Sequence, residues 1–372
     1  MQRNKVIGAA AVLAGALVLG ACGSNAPAAS SPGGSGSGSA AGSVPTAGSG
    51  SGQSAPNDGK TAAVTIMVGG LDKQIYLPAE LTKDLGYFAD EGLDVDVQSE
   101  PAGVDAETAM LSGSVDAVVG FYDHNIQLQA KGKSTESIVQ FSQVPGEVEL
   151  TSDKAADVKS PADWKGKTVG ITGAGSSTDF LTQYLAVKNG LQVGDVSRLP
   201  VKAGQTFIAA MKQGTIVSGM TTEPTITQAV SSGLAHVMVD MRTKEGTEKA
   251  LGGTYPAACL YATTDWVNSH RDVVQKLADA FVKTLKYIST HSGAEITEKV
   301  PADFYAGIGK DAYAKALDDG KGMFTSDGVM PSDGPATVLS VLQMALPDVK
   351  SAKIDLSKTY TTQFVKNVPS GS

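Results

Sequence analysis

Cysteine is nearly absent from this chain, because its 372 residues contain only Cys22 and Cys259. Two cysteines can form one disulfide at most, which excludes a small framework held together by several disulfides. The cysteines and the four histidines also lack the short spacings that bind zinc. We therefore expect neither a structural metal nor a cofactor.

Catalytic motifs and basic clusters are missing as well. The sequence contains no G-x-S-x-G turn for a nucleophilic serine, no H-E-x-x-H and no P-loop lysine. Lysine and arginine together number 30 against 38 acidic residues, which leaves a formal net charge of −8. Such an acidic chain is a poor match for nucleic acid. We predict that the protein is not an enzyme and does not bind nucleic acid.

The first sixty residues have the pattern of an export signal and a tether. Residues 1–21 combine a basic start, an apolar run and small residues, as in a secretory signal peptide. Residues 22–60 are mostly Gly, Ser, Ala and Pro, which cannot bury enough apolar surface to fold. The stretch LGAC at 19–22 resembles the bacterial lipobox, which implies a lipid on the sulfur of Cys22. An ordinary signal peptide with an incidental cysteine is the alternative.

From about residue 61 the chain alternates short apolar runs with amphipathic stretches. Strands are predicted at 63–70, 93–100, 115–121, 196–201, 215–221 and 236–242, with two more within 137–150. Helices are predicted at 75–92, 105–114, 125–132, 179–190, 206–214, 223–233, 273–291, 310–320 and 336–346. This rhythm predicts parallel α/β sheets with helices on both faces. Because the pattern of 63–121 recurs in 167–221, we expect one architecture used twice, in two lobes.

Several stretches together resemble one protein family. In chain order they are LPAELTKDLGYFADEGLDVDV, MLSGSVDAVVG, KTVGITGAGSSTDF and MTTEPTITQAVSSGLAHVMVD. They resemble the periplasmic substrate-binding proteins of the sulfonate/nitrate/taurine type and their thiamine-precursor-binding relatives. The resemblance implies a type II periplasmic-binding-protein fold, with two α/β lobes around a hinge, a ligand cleft and a helical C-terminal part. We expect lobe 1 in 61–157, lobe 2 in 158–254, and a return to lobe 1 in 255–372.

The resemblance also implies a function. We expect a monomeric, extracytoplasmic lipoprotein, anchored to the cell membrane by its lipid, that captures a small organic ligand for the permease and ATPase of an ABC importer. A lipid-anchored sensor of the same fold is one alternative. An enzyme like the related pyrimidine synthases is another, but those proteins carry a cysteine-rich motif that this chain lacks.

The ligand itself is constrained by a scarcity of arginine. Beyond the tether only Arg198, Arg242 and Arg271 occur, and a doubly charged anion is often bound by arginine. We therefore favour a singly charged or neutral ligand, with anionic and heterocyclic compounds both open.

Candidate site residues follow the predicted strands, since ligands of open α/β sheets bind outside the carboxyl ends of the strands. Gly70 and Leu71 follow the first strand, and a glycine there lets a ligand approach the backbone. Tyr122, Asp123 and His124 follow a later strand. The tyrosine offers a stacking surface, whereas the aspartate has a plain alternative role as a helix cap.

Three further loops supply the remaining candidates. Ser176, Ser177 and Thr178 begin a predicted helix, whose first N–H groups lack partners and whose dipole is positive there. This arrangement predicts an anion site, unless the hydroxyls merely cap those amides. Glu223 either binds an amine or ring N–H or only favours the next helix. Tyr255, at the expected hinge, either closes over the ligand or packs the hinge.

Overall fold

The computed structural model describes residues 61–369, so the predicted signal peptide, Cys22 and the tether lie outside the described residues. The strands are β1 (Ala62–Val68), β2 (Leu93–Ser99), β3 (Ala117–Phe121), β4 (Thr135–Gln140), β5 (Glu147–Ser152), β6 (Thr168–Ile171), β7 (Ser197–Pro200), β8 (Ser218–Thr222), β9 (Ala235–Asp240) and β10 (Ala258–Thr263). The helices are α1 (Leu77–Asp84), α2 (Tyr87–Asp90), α3 (Gly103–Leu111), α4 (Asp123–Ala130), α5 (Ser177–Lys188), α6 (Gln205–Gln213), α7 (Thr225–Ser231), α8 (Lys244–Leu251), α9 (Thr264–Ser269), α10 (Arg271–Thr290), α11 (Gly293–Thr297), α12 (Lys310–Gly320), α13 (Gly334–Ala345), α14 (Pro347–Ser351) and α15 (Gln363–Lys366).

The strands form two five-stranded sheets. Sheet 1 has the order β2-β1-β3-β10-β4, and sheet 2 has the order β7-β6-β8-β5-β9. We call the part built on sheet 1 lobe 1 and the part built on sheet 2 lobe 2. Corresponding halves share a parallel core, since β1 pairs with β2 and β3 in lobe 1 as β6 pairs with β7 and β8 in lobe 2. The repeated architecture predicted from the sequence is therefore present.

The sequence predicts parallel sheets, and the structure has two mixed sheets in which one strand each runs antiparallel to its neighbours. In lobe 1, β10 runs antiparallel to β3 and β4, and in lobe 2, β5 runs antiparallel to β8 and β9. The reason is the path of the chain, which crosses between lobes from β4 to β5 and from β9 to β10. A strand that enters from the facing lobe starts at the edge where its parallel neighbours end, and so runs against them. The segment 141–146 connects β4 of lobe 1 to β5 of lobe 2, and the segment 241–257 connects β9 of lobe 2 to β10 of lobe 1.

The crossing points differ from the predicted lobe boundaries at one place. Because β5 (Glu147–Ser152) already pairs within sheet 2, the first crossing precedes the boundary expected between 157 and 158. The sequence has two adjacent apolar runs here, within 137–150. The spacing of apolar residues predicts two strands, but it does not show that they belong to different sheets. The return to sheet 1 falls between Asp240 and Ala258.

The core of lobe 1 is built around α10, whose apolar side chains recur at helical spacing and are buried. Phe281 of α10 packs its ring against Phe88, with ring centroids 5.2 Å apart, and against Phe141, at 4.9 Å. The single helix predicted over 75–92 is instead divided into a short 3-10 turn, α1 and α2. The division occurs at Gly86, whose φ of 77° is the left-handed conformation that glycine adopts without strain.

Candidate functional site

The two lobes meet through the loops that follow their strands. The backbone N–H of Gln74, in lobe 1, donates to the carbonyl of Glu223 in lobe 2 at 3.0 Å. Gly173 of lobe 2 lies so close to Ala102 of lobe 1 that an added Cβ would be 2.9 Å from the alanine methyl. The loop edges of the two sheets are therefore in direct contact.

A buried hydrogen-bonded cluster lies at this junction. Asp123, at the start of α4, accepts a hydrogen bond from Ser177 Oγ of lobe 2 at 2.7 Å and from the Tyr255 hydroxyl at 2.9 Å. All three side chains are buried. Burial raises the pKa of Asp123, although the charge of His124 and the two hydrogen bonds act in the opposite direction. Three predicted site residues from separate stretches of chain are thus brought together here.

The start of α5, predicted to hold an anion, is met by a carboxylate of the protein itself. Ser177 is the first residue of α5, and its partner Asp123 comes from the other lobe. Partial positive charge at a helix N-terminus stabilises such an anion. Asp179, in the first turn of α5, accepts from the Gly175 N–H at 2.9 Å and from Arg198 at 2.5 Å.

His124 extends the cluster within lobe 1. Its Nδ1 lies 2.7 Å from Oε2 of Glu107, an ion-pair distance, and its Nε2 lies 3.5 Å from Ser177 Oγ. Burial lowers the pKa of His124, but the Glu107 carboxylate and then Asp123 outweigh it, so that the pKa is raised. The order serine, histidine, carboxylate is that of a hydrolytic triad. However, the serine hydroxyl donates to Asp123, so the histidine does not activate it as a nucleophile.

The hydroxyls of Ser176 and Thr178 form hydrogen bonds within the turn that precedes α5. Ser176 Oγ donates to the Gly173 carbonyl at 2.7 Å, and Thr178 Oγ1 accepts the Thr172 N–H at 3.0 Å. The two hydroxyls also lie 2.8 Å from each other. They hold the turn before α5 in shape, and of the three hydroxyls Ser177 is the one that reaches the other lobe.

Tyr122 is placed apart from the cluster. Its hydroxyl is hydrogen-bonded to Thr359 Oγ1 at 2.5 Å, and its ring meets Tyr360 edge-on with centroids 6.3 Å apart. Both partners belong to the C-terminal segment of lobe 1. The side chain is fully buried there, so it supports the loop that carries Asp123 rather than lining the junction.

The loop after β1 positions a lysine that sequence reasoning did not single out. Gly70 has a φ of 113°, and the stem of Lys73 packs directly over it, where a side chain at this position would collide. The Lys73 ammonium donates to the carbonyls of Gly69, at 2.5 Å, and Pro101, at 3.2 Å. Leu71 is half-buried and donates its N–H to Ser99 Oγ at 3.0 Å.

Glu223 lies at the rim of the junction and is engaged by lobe 2. Its carboxylate is 3.3 Å from Arg242 and accepts the Thr227 N–H at 3.0 Å. Arg242 in turn holds Asp240 at 2.7 Å. With Gln74 these residues line a cavity of about 150 Å³ between the lobes.

Two more openings lie along the same junction. One of about 330 Å³ lies between Asp72, Gln205 and Gly307, and one of about 240 Å³ lies between Lys73, Pro101 and Lys202. A larger groove, of about 590 Å³, lies on lobe 2 alone between α5, β9 and α8. We regard the junction, not that groove, as the candidate site, because the buried polar groups of both lobes converge there.

Two glutamates of β5 were missed by sequence reasoning. Glu147 is 4% exposed and its Oε2 has no hydrogen-bond partner among residues 61–369. Glu149 is 0% exposed, and neither of its carboxylate oxygens has one. The available signal was the run EVEL, in which acids alternate with apolar residues inside a strand that becomes buried on both faces.

Burial decides the charge state of both glutamates. It raises the pKa of Glu147 to about 8, helped by the charge of Asp123 and opposed by the Lys73 ammonium. Burial, and then the charge of Glu147, also raise the pKa of Glu149. Without a donor opposite them, the two carboxyl groups therefore favour their neutral form more than glutamates in water do.

Comparison with known proteins bears on what such a junction is for. The family model described as NMT1/THI5 like matches residues 77–294, more than half of the chain. The chain belongs to this NMT1/THI5-like family. The Bacillus subtilis (strain 168) protein YtlA is 23% identical over 233 residues, which cover 62% of this chain and 67% of YtlA.

Several solved structures share the fold of this chain. A Bordetella bronchiseptica RB50 protein is 35% identical, with a TM-score of 0.79 over 82% of this chain and 96% of that one. The alkanesulfonate-binding protein SsuA of Xanthomonas axonopodis pv. citri, solved with MOPS, is 18% identical, with a TM-score of 0.58 over 76% and 91% of the chains. A Staphylococcus aureus ligand-binding component of an ABC-type import system is 12% identical, with a TM-score of 0.60 over 83% and 99%.

These matches confirm the family resemblance and the periplasmic-binding-protein fold predicted from the sequence. Two of these proteins are named for ligand binding, because SsuA is an alkanesulfonate-binding protein and the Staphylococcus aureus protein is the ligand-binding component of an import system. Among residues 61–369, no helix is both long enough and apolar enough to cross a bilayer, and no group of three or more His, Cys, Asp or Glu side chains is arranged to hold a metal ion.

Proposed function

We propose that this protein captures a small organic solute in the junction between its lobes and delivers it to an ABC importer. The observation that carries the proposal is the buried hydrogen bond from Ser177 of lobe 2 to Asp123 of lobe 1. A polar contact of this kind joins two lobes that are linked by two crossings and can separate by hinge motion. A solute that touches both lobes would stabilise their closed arrangement.

The predicted site residues have different roles in this proposal. Four of them meet at the junction: Asp123, His124, Ser177 and Tyr255. We propose that they contact the ligand once the lobes have opened to admit it and closed around it. Gly70, Leu71, Ser176, Thr178 and Glu223 shape the surrounding loops, and Tyr122 supports the core beneath them.

Solute capture is tested by a thermal-shift screen of the purified protein against taurine, nitrate, pyrimidines, aromatic acids, amines and riboflavin. A solute present at one hundred times its Kd should add about 2.7 kcal/mol to the free energy of unfolding. Ser177→Phe should abolish the shift while leaving the unfolding transition cooperative, because the bulky ring at the start of α5 keeps the lobes apart. Ser231→Phe, an exposed change at the C-terminal end of α7 in the same lobe, is the control. If no solute shifts the transition, the proposal fails.

We further propose that Cys22 carries a lipid that anchors the protein to the outer face of the cell membrane. The lipobox-like stretch LGAC and the tether that follows it support this localisation. A lipid followed by a long tether keeps a binding protein close to its permease without a spanning helix.

Replacing Cys22 by alanine is expected to move the protein from the membrane fraction to the soluble extracytoplasmic fraction, since no lipid can then be attached. Fractionation followed by immunoblotting measures this. Cys259→Ala, a change at the buried free cysteine, should leave the protein in the membrane fraction. A Cys22→Ala protein that stays with the membrane would contradict the anchor.

A further inference from the structure

The strand β5 carries two buried carboxylates on one face. Glu147 and Glu149 are two residues apart, so their side chains point to the same side of sheet 2. Their neighbours on β8 are Thr222 and Met220, which provide no charge. Acidic side chains are rarely buried unless they are paired, and this pair is buried without a described ion pair to either member.

The cations around β5 are already occupied by other groups. Lys73 is the one that acts on Glu147, yet its ammonium donates to the carbonyls of Gly69 and Pro101. Arg242, at the rim, is held by Asp240 and Glu223. The nearby cations are therefore engaged elsewhere, and the hydrogen-bond donor that the two glutamates lack has to come from another molecule.

Glu147 lies at the junction rather than deep in lobe 2. It is the first residue of β5 after the crossing from lobe 1, at the edge where the loops of both lobes meet. It is near enough to Asp123 for their charges to interact, and its charge also raises the pKa of Tyr255 and of Tyr76 in lobe 1. Glu149 follows one pleat further along the same face.

The nearby aromatic rings suit the same kind of ligand. Tyr76 and Tyr255 are buried within electrostatic range of Glu147, and the Lys73 ammonium lies 5.8 Å from the centre of the Tyr76 ring, whose face attracts a cation. An anion bound there would further disfavour the ionised forms of Asp123, Glu147 and Glu149, whereas a cation would favour them. The start of α5, the most favourable place for an anion, is taken by Asp123.

We propose that the junction selects a ligand with a protonated nitrogen, with Glu147 as its direct partner and Glu149 as a second acceptor behind it. This inference rests on the proposed function and narrows its ligand class, away from the anionic ligands left open by the sequence. The ligand nitrogen supplies the hydrogen-bond donors that the two carboxylates lack.

The test compares three probes of nearly the same shape and different charge: benzylamine, benzyl alcohol and benzoate. Isothermal titration of the whole protein should show benzylamine binding at least about tenfold more tightly than benzoate, a difference of about 1.4 kcal/mol. Glu147→Gln keeps the size of the side chain and removes its charge, and should lower the affinity for benzylamine by about tenfold or more. Glu248→Gln, an exposed change on α8 of the same lobe, should not alter it.

The charge series on the unmodified protein keeps the test decisive even if Glu147→Gln does not fold. Benzoate binding as tightly as benzylamine, or neither probe binding at millimolar concentration, overturns the cation site. So does a Glu147→Gln protein that folds and binds benzylamine unchanged. If an anionic or neutral solute stabilises the protein in the thermal-shift screen, solute capture stands while this inference falls. If no solute stabilises it, the proposed function falls as well.

Discussion

Replacing Glu149 by methionine is expected to raise the free energy of unfolding of the ligand-free protein by about 3 kcal/mol at pH 7. The carboxylate of Glu149 is fully buried and has no hydrogen-bond partner among residues 61–369. Methionine has a similar volume, is flexible enough to fill the same space and leaves no unsatisfied polar atom. The gain should appear in chemical denaturation as a higher midpoint with an unchanged slope.

The sign of the pH dependence makes this prediction specific to Glu149. Burial raises its pKa in the folded protein, so the folded state binds a proton more tightly than the unfolded chain does. The stability contributed by the neutral carboxyl group is complete below its unfolded pKa, about 4.3, and is lost as the pH rises towards the folded pKa. The advantage of Glu149→Met should therefore be small near pH 4 and grow with pH.

Two variants separate this effect from general changes in packing. Glu149→Gln removes the charge but keeps buried polar atoms, so its gain should be smaller than that of methionine. Glu248→Met, on the exposed face of α8, should change the stability little. A Glu149→Met protein that is less stable than the original at every pH would mean that the carboxylate is satisfied in the folded state.

Comparing the sequence with the structure shows which parts of the fold the spacing of apolar residues can predict. Apolar alternation and helical spacing located most strands and helices, because burial on one face leaves a periodic trace. The direction of β5 and β10 left no such trace, since a strand reads the same whether its neighbours run with it or against it. Their direction follows from the two crossings between lobes, which are a property of the whole chain.

The site shows a similar division. Two loops after strands hold Asp123 and Ser177, the second crossing holds Tyr255, and the fold brings the three side chains into one cluster. Position after a strand does not predict that the Tyr122 side chain points towards Thr359, because its direction depends on the distant C-terminal segment. This criterion also passed over Glu147, which lies at the start of a strand that runs away from the junction rather than at the end of one that runs towards it.

The affinity for benzylamine is expected to rise by about tenfold for each pH unit between pH 6 and pH 8, and then to level off. Burial raises the pKa of Glu147 to about 8, so the free site holds a proton there below this pH. An ammonium ligand binds the ionised carboxylate, and the proton must leave first. The ammonium of benzylamine stays protonated over this range, so the change in affinity reports the protein.

Other titratable groups face Glu147 and must be separated from it. Around its carboxylate these groups are Lys73, Asp123, Tyr76 and Tyr255, with Glu149 behind it and His124 beside Asp123. Loss of a proton from Lys73 or His124 would also favour an ammonium ligand at higher pH. Glu147→Gln retains all of these groups, so a flat pH profile in that variant assigns the dependence to Glu147. Titrations in buffers of different ionisation enthalpy should count about one proton released per ligand bound at pH 7. An affinity that falls as the pH rises would show that a neutral carboxyl group donates to the ligand, and the site would then select an acceptor.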